Sequence, residues 1–213
     1  MSSIKLFIIF AMSIASIMYS LAHVSFRFDL HVPHISTGKT VVLRTDFPIQ
    51  TQLLTERLLA FSPTLSRPLS ITYTDEPASY RYTANYFFNE ISANRSLTEL
   101  LREKTGDDSN VIAIIAHEIA HLATRVNFNS DIPAESRNSE RFADYLAIKI
   151  LHNAGFDCDL FKDGFTTMHN LVLVPDFDSD SHPSTRSRIA EGDRACKFIK
   201  NYGILPLNLY FEK

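Results

Sequence analysis

An apolar run from Val111 to Val126, VIAIIAHEIAHLATRV, carries the pattern that most constrains this chain. Within it, His117, Glu118 and His121 form an H-E-x-x-H motif. Residues four apart lie on one face of a helix, so the two imidazoles can bind one zinc ion while Glu118 takes a proton from a neighbouring water. Because buried His and Glu are costly without partners, this apolar setting favours a metal site over an ordinary core helix with hydrogen-bonded histidines.

The composition is that of a globular domain with a sizeable core. The chain has 213 residues, of which 45% are hydrophobic and 21% charged, and these values are ordinary for one folded domain. The net charge of −3 points to no nucleic acid and no anionic membrane surface as a partner. No repeat or linker divides the chain, so we expect a single domain over residues 23–213.

Residues 1–22 have the pattern of a secretory signal peptide. Lys5 is followed by the apolar run Leu6–Met18, and the small residues Ser20 and Ala22 occupy the positions that a signal peptidase reads. We therefore predict cleavage after Ala22 and export, either to the periplasm or out of the cell. The alternative is an uncleaved anchor, since the segment nearly reaches the ~20 residues that span a bilayer. Only in that case would the domain lie near a membrane.

Cys158 and Cys196 are the two cysteines of the chain. An even pair in an exported protein predicts a disulfide, and two buried thiols are the alternative. Their spacing fits no cysteine pattern of a zinc site.

Hydrophobic periodicity predicts a mixture of strands and helices. The predicted strands are Val24–Val32, Lys39–Thr45, Leu69–Thr74 and Tyr80–Phe88. Beside the helix that carries the H-E-x-x-H motif, the predicted helices are Ile49–Phe61, Ser96–Lys104 with a capping box at its start, Pro133–Asn153, Asp159–Asn170 and Pro183–Asn201. The fold class expected from this order is α+β.

A catalytic zinc site needs a third protein ligand and leaves the fourth position to water. The candidates are acidic or imidazole side chains of the same domain: Glu135, Glu140, Asp144 and His182. Glu140 is best placed, because it shares a helix face with Asp144, one turn further on, which is suited to accept the free N–H of a ligand histidine. The alternative is an exposed helix face on which both acids pair with Arg137 or Arg141.

Two other polar clusters resemble metal sites only superficially, and we expect neither to bind an ion. His23, His31 and His34 lack acidic or cysteine neighbours, so we interpret them as solvated residues of the first strand rather than a second metal site. The acidic loop Asp176–Asp180 suggests calcium, but it lacks the glycine turn and terminal Glu of a known calcium loop. A solvated loop is the favoured interpretation.

Three motifs, taken together and in order, resemble those of the HtpX-like and CAAX-prenyl-protease group of gluzincin zinc metallopeptidases. They are HEIAH, then Glu140–Asp144 (ERFAD), then Ser181–Pro183 (SHP) with Arg188 six residues after the histidine. The resemblance covers about residues 80–188 and is much more specific than H-E-x-x-H alone. It implies a zincin-like α+β fold, in which a small mixed sheet with an edge strand packs on the motif helix and a second ligand-bearing helix.

The resemblance also implies one zinc ion per chain, held by two imidazoles and a carboxylate: His117, His121 and Glu140. Glu118 would act as general base and then as general acid. Arg188 would support the site. His182 would face the metal, where it either stabilises the oxyanion of the transition state or occupies the open metal position and holds the enzyme inactive.

The implied substrate is an extended polypeptide, held by β-augmentation along Tyr80–Phe88 as the edge strand. Multi-pass members of the family embed the site among membrane helices, whereas this chain has at most one such helix, so we expect a minimal exported catalytic domain. The expected function is a zinc-dependent endopeptidase acting on extended or unfolded proteins. The alternatives are a metal-binding, chaperone-like or self-inhibited protein with little proteolysis, and a structural exported domain without metal.

Overall fold

The structure, a computed structural model, describes eight segments of the chain: 28–33, 40–45, 47–62, 68–75, 81–127, 137–172, 176–179 and 182–203. Several predicted features lie outside them, among them the signal peptide at residues 1–22, His23, His34, Glu135, Asp180 and Ser181. The side chain of His31 is not described either.

Five strands and six helices form within the described segments. The strands are β1 (Phe28–Pro33), β2 (Thr40–Thr45), β3 (Leu69–Thr74), β4 (Tyr82–Asn85) and β5 (Glu90–Asn94). The helices are α1 (Ile49–Phe61), α2 (Arg95–Thr105), α3 (Ser109–Asn127), α4 (Arg137–Asn153), α5 (Asp159–Val172) and α6 (Thr185–Tyr202). The predicted α+β class is confirmed. None of the described helices combines the length and apolarity that a bilayer crossing requires.

The strands form one small mixed sheet in the order β1-β2-β3-β5-β4. The pairs β1–β2 and β4–β5 are antiparallel, and β3 is parallel to both of its neighbours. Among the described strands, β4 therefore lies at one edge of the sheet. It is shorter than the predicted strand Tyr80–Phe88, because residues 86–89 form a turn that ends at Asn89 with φ 52°.

Strand β5 was missed in the sequence. Its residues, EISAN, include Glu, Ala and Asn, which are depleted in strands, and so they give no strand signal. The strand forms because it is hydrogen-bonded on both sides, to β3 and to β4, while Ile91 and Ala93 are buried in the core. Tertiary pairing outweighs local preference here.

The starts of two helices differ from prediction. The capping box at Ser96 is wrong, because Asn94 caps α2 and its side-chain oxygen accepts from the Leu97 N–H at 2.9 Å. Asn94 thus ends β5 and starts α2 without a loop. Helix α6 begins at Thr185 rather than at Pro183, with Ser184 as its N-cap.

Helix α3 is the centre of the molecule. It packs against α1, α2, α4 and α5 and against strands β4 and β5. Its first half, Val111–Ala116, is at most 2% exposed, because neighbours cover every face of this part of the helix. Burying each such Val or Ile contributes about 1.5–3 kcal/mol, so the apolar run anchors the helix that carries the H-E-x-x-H motif.

A buried polar cluster fixes the start of α3. The Asp108 carboxylate accepts from the Thr51 hydroxyl of α1 at 2.8 Å and pairs with the Arg102 guanidinium of α2 at 2.5 Å. Arg102 also donates to Thr51 at 2.6 Å. Because three helices meet in this cluster, the N-terminus of α3 is held in place before the motif begins.

Cys158 and Cys196 are joined by a disulfide that ties the start of α5 to α6. Both residues are buried, at 1% and 2% exposure. The bond therefore fixes the start of α5 to α6, the helix that also carries Arg188.

Removing this disulfide is expected to lower the free energy of unfolding by about 2–4 kcal/mol, because the open chain regains loop entropy in its unfolded state. The test is urea unfolding of the oxidised protein and of the Cys158→Ala, Cys196→Ala double variant. Equal unfolding midpoints and slopes in the two proteins would contradict the expectation.

Candidate metal site

Three donor side chains converge at the junction of α3 and α4. His117 and His121 lie one turn apart on α3, and Glu140 lies in the first turn of α4. The two Nε2 atoms are 3.0 Å apart, and Glu140 oxygens lie 3.4 Å from His117 Nε2 and 3.2 Å from His121 Nε2. The structure therefore contains a buried His117–His121–Glu140 group that can hold a metal ion.

The spacing of these donors suits a small tetrahedral ion. Ligands at about 2.0–2.1 Å from a tetrahedral zinc ion lie roughly 3.3 Å from one another. The two Nε2 atoms are 3.0 Å apart, Glu140 Oε2 lies 3.4 Å from His117 Nε2, and Glu140 Oε1 lies 3.2 Å from His121 Nε2, so each separation is close to that value. The residues present thus fit the implied ion without rearrangement of the helices.

The charges around the group favour a divalent cation. Glu118, Glu140 and Asp144 are buried carboxylates, and Arg188 is a buried cation beside them. Three negative charges against one positive charge leave a surplus of two negative charges when both histidines are neutral. Because unpaired buried charge is costly, a divalent ion is the natural complement of this set.

Asp144 and Arg188 form the second layer around the donors. The His117 Nδ1–H donates to Asp144 Oδ1 at 2.9 Å, which leaves Nε2 directed at the metal position. Arg188 grips the same carboxylate with two bonds, Nε to Oδ2 at 2.9 Å and Nη2 to Oδ1 at 2.6 Å. The proposed role of Asp144 in fixing a ligand imidazole therefore has a matching geometry.

The alternative of an exposed acidic face on α4 is wrong. Glu140 and Asp144 are 7% and 4% exposed, and both face the α3 histidines. Arg141 pairs instead with Glu191 of α6, at 3.3 Å.

The carboxyl groups of Glu140 and Asp144 are held in their ionised form. Burial raises the pKa of Glu140, but hydrogen bonds from His117 and His121 outweigh it and hold that pKa well below its usual range. Burial likewise raises the pKa of Asp144, and the charge of Arg188 reverses the effect. For Arg188, burial lowers the pKa, whereas the charge of Asp144 more than compensates and raises it.

The pKa of His117 is raised in the metal-free protein. Burial and the Arg188 charge lower its pKa, but hydrogen bonds to Asp144 and Glu140 prevail and raise the pKa to about 9. Since this lies above the ordinary 6.5, the imidazolium stabilises the metal-free fold below about 6.5, and that contribution is lost as the pH rises through about 9.

Metal binding at neutral pH is therefore expected to release about one proton per ion, because His117 must lose its proton to become a ligand. Calorimetric titration of metal-free protein with Zn²⁺, in two buffers of different ionisation enthalpy, measures the number released. Release should diminish well above the His117 pKa of about 9. Equal apparent enthalpies in both buffers at neutral pH would contradict this.

Glu118 lies next to His117 on α3 and is 7% exposed. Its negative charge contributes to the raised pKa of Arg188, which places the two side chains within electrostatic reach. Glu118 is not one of the three converging donors. Glu118 therefore remains outside the donor set, next to His117 in the chain.

His182 reaches the rim of the site from the segment before α6. Its Nε2 lies 3.6 Å from Glu140 Oε1, and its side chain is 57% exposed. The segment is closed on itself, because the His182 N–H donates to Ser179 Oγ at 2.9 Å and the Ser179 N–H donates to the His182 carbonyl at 2.8 Å. The structure therefore brings His182 towards the donors but on their solvent side.

Two aspartates of the acidic loop before His182 accept hydrogen bonds from backbone N–H groups at the start of α6. Asp178 accepts from the Ser184 N–H at 2.6 Å, and Asp176 accepts from the Arg186 N–H at 3.0 Å. Carboxylates that bind backbone N–H groups at a helix N-terminus stabilise that terminus. Asp176 and Asp178 are exposed, as the interpretation of a solvated loop predicts, and they also cap the start of α6.

Phe165 of α5 is a site neighbour that the sequence did not reveal. Its ring meets the His117 ring edge-on, with centroids 5.3 Å apart, and the Arg188 guanidinium carbon lies 4.4 Å from its ring centre. Helix α5 comes this close because Gly164 faces α3, where a Cβ atom would lie 2.8 Å from the Ala113 Cβ. An aromatic residue on a helix face is typical of an ordinary hydrophobic core, so the sequence offered no reason to place Phe165 at the site.

No protein-family model matches this chain, and no curated protein matches it. The resemblance to gluzincins therefore rests on the three motifs themselves.

Proposed function

We propose that this chain is a zinc-dependent endopeptidase that hydrolyses extended or unfolded polypeptides. The observation that carries the proposal is the convergence of His117, His121 and Glu140 on one point, with Glu118 beside them. Two imidazoles, one carboxylate and a neighbouring acid form the usual protein part of a zinc peptidase site. Buried histidines that only form hydrogen bonds in a core do not require a converging carboxylate and a second acid beside them.

Each residue has a defined task in this mechanism. His117, His121 and Glu140 would hold the zinc ion, which would supply a Lewis acid for the scissile carbonyl and lower the pKa of a bound water to about 7. Glu118 takes the proton from the attacking water and delivers it to the leaving amine. Such general acid–base help is worth typically ~10²–10⁴-fold in rate. Asp144 holds the His117 ring so that Nε2 faces the metal position, and Arg188 holds Asp144 in turn.

The proposed substrate is a polypeptide in extended form. Strand β4 is an edge of the sheet and packs against α3, which carries the donors. Along β4, Tyr82 is buried and its hydroxyl lies 2.6 Å from Thr98 Oγ1, whereas Thr83 and Asn85 are exposed. An anchored strand at the edge of the described part of the sheet supports peptide binding by strand addition.

The proposed location is outside the cytoplasm, in the periplasm or the medium. The N-terminal sequence pattern supports export. The Cys158–Cys196 disulfide also supports it, because such bonds persist in oxidising compartments.

The decisive experiment has two measurements on purified protein. Metal analysis is expected to give one zinc per chain, and an unfolded protein such as reduced casein is expected to be cleaved. A chelator should stop cleavage, and added Zn²⁺ should restore it. Protein without metal would refute the site, and zinc-loaded protein without cleavage of any unfolded substrate would refute the endopeptidase function while leaving the site intact.

One observation favours a second candidate, a self-inhibited form of the same enzyme. His182 Nε2 lies 3.6 Å from Glu140 Oε1, so a ligand-type nitrogen stands at the entrance to the donors. If His182 blocks the site, His182→Ala should raise the cleavage rate. If His182 assists the oxyanion, the same change should lower the rate by roughly 10²–10³-fold, the scale of a lost oxyanion donor.

A further inference from the structure

Arg188 stands unusually close to the atoms that a metal ion needs. Its Nη2 lies 3.2 Å from His117 Nε2 and 3.3 Å from Glu140 Oε2. These are two of the converging donor atoms. In the metal-free protein these contacts already use lone pairs on which metal binding depends, although they are longer than the bonds of Arg188 to Asp144, 2.9 and 2.6 Å. Metal binding therefore requires that the guanidinium come no closer to His117 and Glu140 and give up these two contacts to the ion.

Two groups hold the guanidinium from different directions. Asp144 binds it edge-on through two hydrogen bonds. Phe165 lies against it, with the Arg188 Cζ 4.4 Å from the ring centre, in the range of a cation–π contact. The same ring touches the edge of the His117 imidazole. Asp144 alone leaves the guanidinium free to tilt about its two bonds, and the ring removes that freedom.

Phe165 is itself fixed from behind. Phe161 stacks on it, with ring centroids 4.5 Å apart, and both rings are at most 2% exposed. Gly192 of α6 lets the Phe161 ring approach closely, because a Cβ atom there would lie 2.8 Å from that ring. The ring that faces Arg188 is therefore part of a rigid aromatic stack rather than a loose side chain.

We propose that Phe165 is a positioning residue, whose ring keeps the Arg188 guanidinium and the His117 imidazole arranged so that the metal, and not Arg188, binds His117 and Glu140. This inference rests on the proposed metal site. It assigns a role to α5, which supplies none of the converging donors.

The test is the zinc affinity of the folded protein, measured by competition with a chromophoric chelator. Phe165→Leu is expected to weaken zinc binding by about 10–100-fold, the range of residues that orient ligands without touching the metal. The matched control is Phe47→Leu, which makes the same truncation in another buried ring, one that packs on Tyr73. It should lower stability but keep the wild-type affinity. If Phe165→Leu does not fold, Phe165→Met fills the space without a ring and replaces it.

A double-variant comparison separates positioning from general damage. In an Arg188→Gln background, Phe165→Leu should weaken zinc binding much less than in the wild type, because the competing guanidinium is gone and only the contact with His117 is lost. Unchanged affinity in Phe165→Leu, or an equal loss with and without Arg188, would overturn the proposal. If the wild-type protein bound no zinc, the proposed function would fail instead, so the two failures are distinguishable.

Discussion

Glu118→Gln is expected to abolish hydrolysis while the protein retains its full metal content. The amide cannot accept the proton of the attacking water, so the rate should fall by ~10²–10⁴-fold or more. The three donors His117, His121 and Glu140 are untouched by the change. Metal analysis and cleavage of an unfolded protein, both on the same preparation, measure the two effects.

His117→Ala is the matched comparison for this variant. It removes a donor on the same turn of α3 and should lower metal content and activity together. A Glu118→Gln protein that lost metal as completely as His117→Ala would show that Glu118 had been assigned the wrong role. Full activity in Glu118→Gln would exclude it as the general base.

Glu140→Ala is expected to weaken zinc binding by more than the ~100-fold that residues outside the ligand set reach. Its carboxylate lies within 3.4 Å of both histidine Nε2 atoms, and the charge balance of the site depends on it. Zinc affinity is measured by chelator competition, at the same neutral pH for the wild type and for each variant.

Glu191→Ala supplies the control for this prediction. It also removes a carboxylate that contacts α4, through Arg141, but it lies outside the converging donors. Its zinc affinity should match that of the wild type, whereas Asp144→Ala should lose an intermediate ~10–100-fold. Equal affinities for the Glu140 and Glu191 variants would remove Glu140 from the ligand set.

The sequence predicted the parts of the site that depend on helical spacing. The interval between His117 and His121 is one helical turn, and the interval between Glu140 and Asp144 is another, so each pair had to share a face. The structure then brings the two faces together across the α3–α4 contact. Local periodicity accounts for each face, but not for their meeting, which depends on how the helices pack.

What the sequence did not predict depends on tertiary neighbours. Strand β5 has weak intrinsic preference and exists through its two partners. Phe165 looks like any core aromatic until Gly164 brings α5 against α3. The raised pKa of His117 arises from two residues distant in sequence, Asp144 and Glu140, whose hydrogen bonds prevail over burial and the charge of Arg188. Charge states and close approaches of this kind have no signature in a short window of sequence.

The central position of α3 has a consequence for the lifetime of an ion held at the proposed site. Two of the three donors belong to the helix with the most neighbours, and amides of such a helix exchange with solvent only through global unfolding. Fraying of α3 is therefore too rare to release the ion. Exit would then be left to the solvent side, where the His182 side chain is exposed, so the residence time of such an ion depends on access past His182.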